Sequence, residues 1–272
     1  MQSLPPSFRP NLLILLKDYI HRVIKGELHL PPWWLRDVGG SDFEATGQEF
    51  LNRFIQIGGL QSDERVLEIG CGSGRIALPL TRYLDRPGVY VGMDITRPSI
   101  IWCQRNISRR YTNFYFLHVD LYNKRYNPSG RYKAQNYPFP FRDESFDFIF
   151  LTSVFTHLLP EDIAHYLPEI ARMLHYKGRI FLTLFLLNDK QRLLAEQQKN
   201  DIDFNFGSGP YRLRNPEIPE SAIAYNESYF LNLLAEYSLT VKLPIYYGTW
   251  SGRNDGLSYQ DILLVQHKEQ SL

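Results

Sequence analysis

The chain has 272 residues, of which 44% are apolar and 22% are charged, so it can bury a full core and is not an intrinsically disordered chain. Its 30 lysines and arginines balance 29 acidic residues, which excludes the strong positive charge typical of proteins that bind nucleic acid. The two cysteines, Cys71 and Cys103, have no metal-ligand spacing and predict no disulfide framework, which fits a cytoplasmic protein.

The first predicted element is an amphipathic helix. Between Leu12 and Leu28, apolar residues recur at steps of three and four, which gives a helix one apolar face. We expect this face to pack on the rest of the same domain, with the helix acting as a lid or cap. A membrane-surface helix would carry more Lys and Arg on its polar face, and the apolar run is too short to span a bilayer. No membrane insertion is therefore expected.

Two tryptophans follow this helix. Pro31-Pro-Trp-Trp34 ends the helical pattern and presents two large rings, which either fill the core or form part of a substrate wall. A capped amphipathic helix is then predicted from Ser41 to Ile57.

A glycine-rich turn follows the first predicted strand. Residues 66–74 read Val-Leu-Glu-Ile-Gly-Cys-Gly-Ser-Gly, with glycine at every second position of the turn. Without Cβ atoms, Gly70, Gly72 and Gly74 allow positive φ and let a nucleotide-like ligand approach the backbone amides. Arg75 stands where a dinucleotide-binding fingerprint has a small residue, so the pattern weakens the case for NAD. A helix is expected over residues 73–84.

Two further apolar strands each end in an acid. Residues 88–94 end at Asp94, and residues 114–120 end at Asp120. A carboxylate at the carboxyl end of a strand can accept hydrogen bonds from the hydroxyls of a ribose. Helix capping for Asp94 and turn initiation for Asp120 are the structural alternatives, and both stay open.

The second half of the chain continues the alternation. A fourth strand is predicted over residues 146–152, and residues 169–184 read as a helix, a turn and a fifth strand. An irregular stretch rich in Gly, Pro and Asn leads to a last helix, 227–237, and to strands at 239–247 and 258–266. This alternation predicts a mainly parallel sheet that binds ligands at the carboxyl ends of its strands.

Taken in order, these segments resemble the class I S-adenosylmethionine-dependent methyltransferases of the small-molecule type, whose first motif matches Glu-x-Gly-x-Gly-x-Gly from Glu68. The resemblance implies an α/β fold with a Rossmann-like, doubly wound, seven-stranded sheet. The implied strand order is 3-2-1-4-5-7-6 with strand 7 antiparallel. Residues 1–40 would form an N-terminal helical extension or cap, and residues 41–272 the methyltransferase domain, with insertions at about 121–145 and 188–226.

The resemblance also implies the cofactor, S-adenosyl-L-methionine, and the residues that bind it. These are Glu68, Gly70, Cys71, Gly72, Ser73, Gly74, Asp94, Ile95, Asp120, Leu121 and Thr152. No metal is expected, because the sulfonium methyl is already a strong electrophile and the protein mainly has to align the acceptor with it.

The catalytic and acceptor residues are less sharply indicated. His157 follows the fourth strand by five residues, so it is a candidate base for a hydroxyl acceptor, while a packing role is the alternative. Arg253 could clamp an anionic group of the acceptor, with a structural ion pair as the alternative. The full set of candidate acceptor contacts is Arg75, Tyr225, Tyr229, Trp250 and Arg253.

The expected function is transfer of a methyl group to a small-molecule acceptor, preferentially to a hydroxyl of a sugar, a peptide or another secondary metabolite. Methylation of a nitrogen or carboxylate of a peptide or protein is the alternative within the family. An NAD-dependent oxidoreductase and a non-catalytic partner with the same fold are the remaining alternatives. The last of these predicts damaged cofactor residues, whereas Glu68, Asp94 and Asp120 are intact. A homodimer is left open, and nucleic acid is not an expected partner.

Overall fold

The computed structural model describes residues 10–36 and 42–268 of the chain. Seven strands form its main sheet: β1 (Arg65–Ile69), β2 (Val89–Asp94), β3 (Phe114–His118), β4 (Phe146–Leu151), β5 (Leu174–Leu184), β9 (Leu239–Tyr246) and β10 (Asp261–His267). Three shorter strands form a second sheet: β6 (Leu186–Leu187), β7 (Tyr211–Leu213) and β8 (Ile223–Asn226).

The main sheet has the order β3-β2-β1-β4-β5-β10-β9, which confirms the predicted order with β9 and β10 as the sixth and seventh strands. Strands β1 to β5 are parallel to one another, and β10 is antiparallel to both β5 and β9. In the register, Glu68 of β1 lies between Gly92 of β2 and Phe150 of β4. The carboxyl ends of these three strands therefore meet at one edge of the sheet, where a ligand site is expected.

The described part of the chain contains the following α-helices: α1 (Leu12–Lys25), α2 (Phe43–Gln56), α3 (Ala77–Leu80), α4 (Arg97–Cys103), α5 (Pro160–Met173), α6 (Asp189–Glu196) and α7 (Glu227–Glu236). Asp42 caps α2, because its carboxylate accepts hydrogen bonds from two amides of the first turn at 3.0 Å. The helix expected over residues 73–84 is shorter than predicted. Gly74 has a φ of +80°, so the chain cannot become helical until after it.

Large aromatic side chains fill one face of the sheet. Phe54 of α2 is fully buried, and its ring centroid lies 4.4 Å from that of Phe150, 4.9 Å from Phe181 and 5.3 Å from Phe148. The opposite face holds a second cluster that includes Leu67 and residues of α5 and α7. Helices therefore cover both faces, as in a doubly wound fold.

The second sheet has the order β6-β8-β7. Strands β7 and β8 lie within the segment predicted as an insertion, about 188–226, and β6 directly precedes it. The strands of this sheet are only two to four residues long, so periodicity along the sequence could not reveal them. The buried ring of Trp250 packs against this region, in a cluster with Phe185, Leu187 and Ala224.

Helix α1 does not behave as expected. The prediction that its apolar face packs on the domain is wrong, because Leu12, Leu16 and Ile24 are 82%, 52% and 77% exposed and Asp18 is the one buried residue of the helix. Within the described ranges, no helix combines the length and hydropathy that crossing a bilayer requires. The predicted boundary between extension and domain, at residues 40 and 41, falls outside the described residues.

Candidate functional site

A cavity of about 1080 Å³ opens at the carboxyl ends of β1, β2 and β4. Its walls come from the glycine turn, from the ends of the neighbouring strands and from the loop after β3. The cavity is large enough for a nucleoside cofactor together with a small acceptor. Of the predicted cofactor residues, it is lined by Glu68, Gly70, Cys71, Gly72, Ser73, Asp94, Ile95, Asp120 and Thr152.

The glycine turn is closed on itself. The amides of Gly70 and Cys71 both donate to the carbonyl of Met93, and the amide of Gly72 donates to the Asp94 carboxylate at 2.7 Å. These amides are therefore already engaged within the chain, which differs from the expectation that they face a ligand. The turn instead offers space: a Cβ built on Gly72 would meet nothing within 4 Å.

Gly74 has a different role from the other two glycines. It does not line the cavity, and a Cβ at this position would lie 2.9 Å from Ile107 Cδ1 and 3.1 Å from Cys103 Sγ. The absence of a side chain here allows the turn to pack against α4 and the π-helical turn that follows it, 104–108.

Asp94 lies at the end of β2 and joins two turns. Its Oδ2 accepts from the Gly72 amide at 2.7 Å, and its Oδ1 accepts from the amide and hydroxyl of Thr96 at 2.7 and 2.5 Å. A carboxylate oxygen can accept two hydrogen bonds, so Oδ2 keeps capacity for a ligand hydroxyl. Asp94 does not cap α4, because the N-cap residue is Thr96 and the Asp94 carboxylate bonds to Thr96 itself rather than to an amide of the first turn.

Asp120 and Leu121 are adjacent in sequence, but only Asp120 lines the cavity. Asp120 lines the cavity, and its Oδ1 accepts from Asn127 Nδ2 at 3.1 Å. Leu121 is buried in the core and does not line the cavity. Asn127 was not singled out in the sequence, although it belongs to the long loop after β3, and loops of that length are commonly functional.

Glu68 is 2% exposed at the base of the cavity and accepts a hydrogen bond from the hydroxyl of Tyr90. Burial raises the pKa of the Glu68 carboxyl to about 8, and the Tyr90 hydrogen bond and the charge of Arg75 offset part of that shift. Arg75, which also lines the cavity, has a lowered pKa, caused by burial and partly offset by Glu68. The buried Glu68 carboxyl and the half-buried Arg75 guanidinium therefore interact through their charges beside the glycine turn.

The raised pKa of Glu68 makes stability depend on pH. The pKa of about 8 in the folded chain lies above the usual carboxyl pKa of 4.5, so this group's contribution to stability is fully present below pH 4.5 and is lost as pH rises through 8. We expect the free energy of unfolding of Glu68→Gln, relative to the native chain, to increase by roughly 2 kcal/mol between about pH 5.5 and pH 7.5. Urea unfolding at the two pH values measures this difference, and parallel pH profiles for the two proteins would contradict it.

Cys71 lines the cavity but is suited to packing. Burial raises the pKa of the Cys71 thiol well above its usual range, so the thiolate that a nucleophile needs is disfavoured. In residues 10–36 and 42–268, no group of three or more His, Cys, Asp or Glu side chains is arranged to hold a metal ion.

His157 and Tyr126 form a hydrogen-bonded pair on the cavity wall. His157 Nδ1 lies 2.8 Å from the carbonyl oxygen of Glu220, which can only accept, so Nδ1 carries the proton. Nε2 is then an acceptor, 3.4 Å from the Tyr126 hydroxyl. Burial lowers the pKa of the imidazole to about 4, and the backbone hydrogen bond to Glu220 opposes that shift. Both rings line the cavity.

Among the candidate acceptor contacts, Arg75 lines the cavity and the other four do not. Tyr225 is fully buried in β8, where its hydroxyl donates to the carbonyl of Leu158, and Tyr229 packs beside it. Trp250 is fully buried in the core. Arg253 is 9% exposed, donates to Asn188 and lies over the ring of Tyr247, with 4.1 Å from Cζ to the ring centroid. Their contacts are structural, which corrects their assignment to the acceptor site.

The segment before α2 completes the cavity wall. Trp34, Leu35 and Arg36 line the cavity, together with Pro10. The Ser73 hydroxyl donates to the carbonyl of Leu35 at 2.7 Å, which ties this segment to the glycine turn. Of the two tryptophans, Trp34 is thus a wall residue, while Trp33 is 48% exposed.

Residues 67–182 match a family model described as a methyltransferase domain. The chain is 28% identical over 141 residues to a tRNA N(3)-cytidine methyltransferase of Gallus gallus, covering 51% of this chain and 35% of that protein. It is 34% identical over 122 residues to phthiotriol/phenolphthiotriol dimycocerosates methyltransferase 1 of Mycobacterium ulcerans, covering 45% of this chain and 38% of that protein. The matched region spans little more than a third of either relative.

A solved structure is similar over almost the whole chain. It is the 1,6-didemethyltoxoflavin-N1-methyltransferase of Burkholderia thailandensis with bound 1,6-didemethyltoxoflavin and S-adenosylhomocysteine. The TM-score is 0.55 at 15% sequence identity, and the alignment covers 97% of this chain and 94% of that one. At this level of identity, the similarity shows a shared fold.

Proposed function

We propose that this chain, which contains a class I S-adenosylmethionine-dependent methyltransferase domain, transfers the methyl group of S-adenosylmethionine to a hydroxyl of a small-molecule acceptor. The observation that carries the choice of a hydroxyl is the His157–Tyr126 pair, which lines the same cavity as the glycine turn. The names of the Mycobacterium ulcerans relative and of the Burkholderia thailandensis structure, which give small molecules as acceptors, support the acceptor class.

The residues of the cavity fit the proposed cofactor. The missing Cβ of Gly72 leaves room beside the turn, and the Asp94 and Asp120 carboxylates line the same cavity. In the proposal, Asp94 holds the ribose hydroxyls through the remaining capacity of Oδ2, and Asp120 accepts from the adenine amine. Glu68 and the glycine turn hold the methionine part, with Ile95 and Thr152 completing the wall. When bound, the cofactor supplies an electrophilic methyl group.

His157 is suited to a hydroxyl acceptor because its lone pair is positioned on the cavity wall, where it already accepts from a hydroxyl, that of Tyr126. The Glu220 carbonyl fixes the tautomer, so Nε2 can accept a hydrogen bond from a hydroxyl in the cavity. With a pKa of about 4, the ring stays neutral above about pH 5 and does not have to lose a proton first. In the proposal, Nε2 orients the acceptor hydroxyl directly or through Tyr126 and accepts its proton as the carbon–oxygen bond forms.

Methyl transfer from isotope-labelled S-adenosylmethionine to a panel of hydroxylated sugars, peptides and polyketides tests the proposal. We expect label in at least one acceptor, and we expect isothermal titration to show binding of S-adenosylhomocysteine and none of NAD. Binding of NAD alone would favour the oxidoreductase, and label found only on nitrogen or carboxylate groups would favour the alternative within the family.

The variant His157→Gln separates catalysis from cofactor binding. We expect kcat to fall on the order of a hundredfold, which is typical of the loss of a positioned base, with less than a threefold change in the Kd for S-adenosylhomocysteine. His175→Gln, at a histidine outside the cavity, is the matched control and should leave kcat unchanged. An unchanged kcat in His157→Gln would assign the histidine to packing.

A further inference from the structure

Half of the circumference of α1 is apolar and exposed. Eight large apolar side chains on this helix are 41% to 82% exposed: Leu12, Leu13, Leu15, Leu16, Tyr19, Ile20, Val23 and Ile24. At 3.6 residues per turn, they cover an arc of about 180°. We call this surface the apolar half of α1. Patches of this kind on a described surface mark sites of interaction.

The opposite side of α1 is hydrogen-bonded to the segment that follows the helix, at Leu30 and Trp33. Asp18 is 4% exposed, and its carboxylate accepts from Arg22 Nε at 2.7 Å and from the backbone amide of Trp33 at 3.1 Å. Arg22 also donates to the carbonyl of Leu30 at 3.1 Å. These buried polar contacts determine how the helix is rotated, and they leave its apolar half turned to the outside.

Helix α1 begins next to the wall of the cavity. Pro10, two residues before the helix, lines the cavity, and so do Trp34 and Leu35. Asp18 bonds to Trp33, the residue immediately before this pair. A surface that binds the apolar half of α1 would therefore be held beside the entrance to the proposed methyl-transfer site.

The width of the apolar arc argues against coiled-coil pairing with a second copy of the chain. Helices that pair in a coiled coil bury a narrow seam of two positions per heptad, whereas these eight side chains cover about 180°.

The charge of α1 favours an anionic surface. The single acid of the helix, Asp18, is buried and paired with Arg22, whereas Lys17 and Lys25 are exposed. Lys17 follows Leu16 and lies at the border of the apolar arc, where a lysine can keep its ammonium group in the headgroup layer. Lys25 lies on the opposite side of the helix from the apolar arc. An exposed apolar arc on a helix whose exposed charged side chains are lysines is the pattern of a helix that lies in a membrane interface.

We propose that α1 binds the surface of an anionic phospholipid bilayer through its apolar half and so places the rim of the cavity at the membrane. The sequence alone favoured packing on the domain, because the number of basic residues on the helix was small. The structure changes the balance, since the apolar side chains are exposed and do not pack on the domain.

Co-sedimentation of the full chain with lipid vesicles tests this proposal. We expect binding to vesicles of phosphatidylcholine with one-third phosphatidylglycerol, and at least tenfold weaker binding to phosphatidylcholine alone. The double variant Leu16→Glu/Val23→Glu should bind the anionic vesicles at least tenfold more weakly. Leu193→Glu is the matched control, because Leu193 is 55% exposed on α6, and it should bind as the native chain does.

Titration with S-adenosylhomocysteine shows whether each variant is folded, and the vesicle assay itself contains no methyl acceptor, so it does not depend on the proposed function. Failure of the native chain to bind anionic vesicles would overturn the proposal, as would equal binding by the double variant. A dimer in sedimentation equilibrium that the double variant dissociates would overturn it too, because the apolar half would then belong to a second copy.

Discussion

Trp250→Ala is expected to lower the free energy of unfolding by about 3 to 5 kcal/mol. The indole is fully buried, its ring centroid lies 5.0 Å from that of Phe185 and 5.5 Å from that of Phe204, and Nε1 donates to Asp261 at 3.0 Å. The substitution therefore leaves a cavity and removes a donor from a carboxylate that is 1% exposed. Urea unfolding measures the loss.

Two further variants identify the origin of this effect. Trp250→Phe keeps most of the ring and removes the hydrogen bond to Asp261, so its loss should be smaller, about 1.5 to 3 kcal/mol. Trp33→Ala removes an indole that is 48% exposed and should cost less than about 1 kcal/mol. The affinity of folded Trp250→Ala for S-adenosylhomocysteine should match that of the native chain; a selective loss of acceptor binding with native stability would restore Trp250 to the acceptor site.

Asp94→Ala is expected to weaken binding of S-adenosylhomocysteine by about 2 to 3 kcal/mol, or roughly 30- to 150-fold. The substitution removes the proposed charge-assisted contact to the ribose and also releases the Gly72 amide, which Asp94 holds at 2.7 Å. Isothermal titration measures the change in Kd. Asp143→Ala is the control, because Asp143 is an exposed acid paired with Arg172.

The Asp94 result discriminates between two roles. Asp94→Asn keeps an oxygen that can accept from Gly72, so an intermediate loss is expected if both the charge and the turn contribute. Native affinity in Asp94→Ala would show that the ribose is held by other groups and would remove the main support for the proposed cofactor contacts.

The sheet could be predicted from the sequence because its strands are apolar runs bounded by glycine and acidic turns. The strand from Arg65 to Ile69 and the order of the seven strands follow from that pattern and from the family resemblance. Local features also sufficed for the glycine turn and for Asp94, since a strand end places its last residue at the ligand edge of a parallel sheet.

The remaining parts of the site depend on contacts between distant segments. Tyr126 meets His157 across 31 positions, and the carbonyl that fixes the imidazole comes from Glu220, 63 positions further along the chain. Periodicity carries no information about such pairs. Trp250 shows the same limit. It lies between two glycines of a different loop, where a residue is usually exposed, and only the contacts with the distant Asp261 and Phe185 show that it is buried.

The exposure of α1 could not be predicted for a related reason. An amphipathic pattern states which residues share a face, but the direction of that face depends on where the polar side is anchored. In this chain the anchor is the buried Asp18, which bonds to Trp33 fifteen residues later.

The Glu220 carbonyl links the segment that contains the small sheet to the orientation of the His157 ring. Glu220 precedes β8, so a change of length or composition between β6 and β8 can reorient the imidazole while the glycine turn stays as it is. Under the proposed function, the residues that recognise the methyl donor belong to the main sheet, whereas the carbonyl that orients His157 belongs to the segment between β6 and β8. Variation within that segment would then alter the choice of acceptor and leave the donor side of the cavity unchanged.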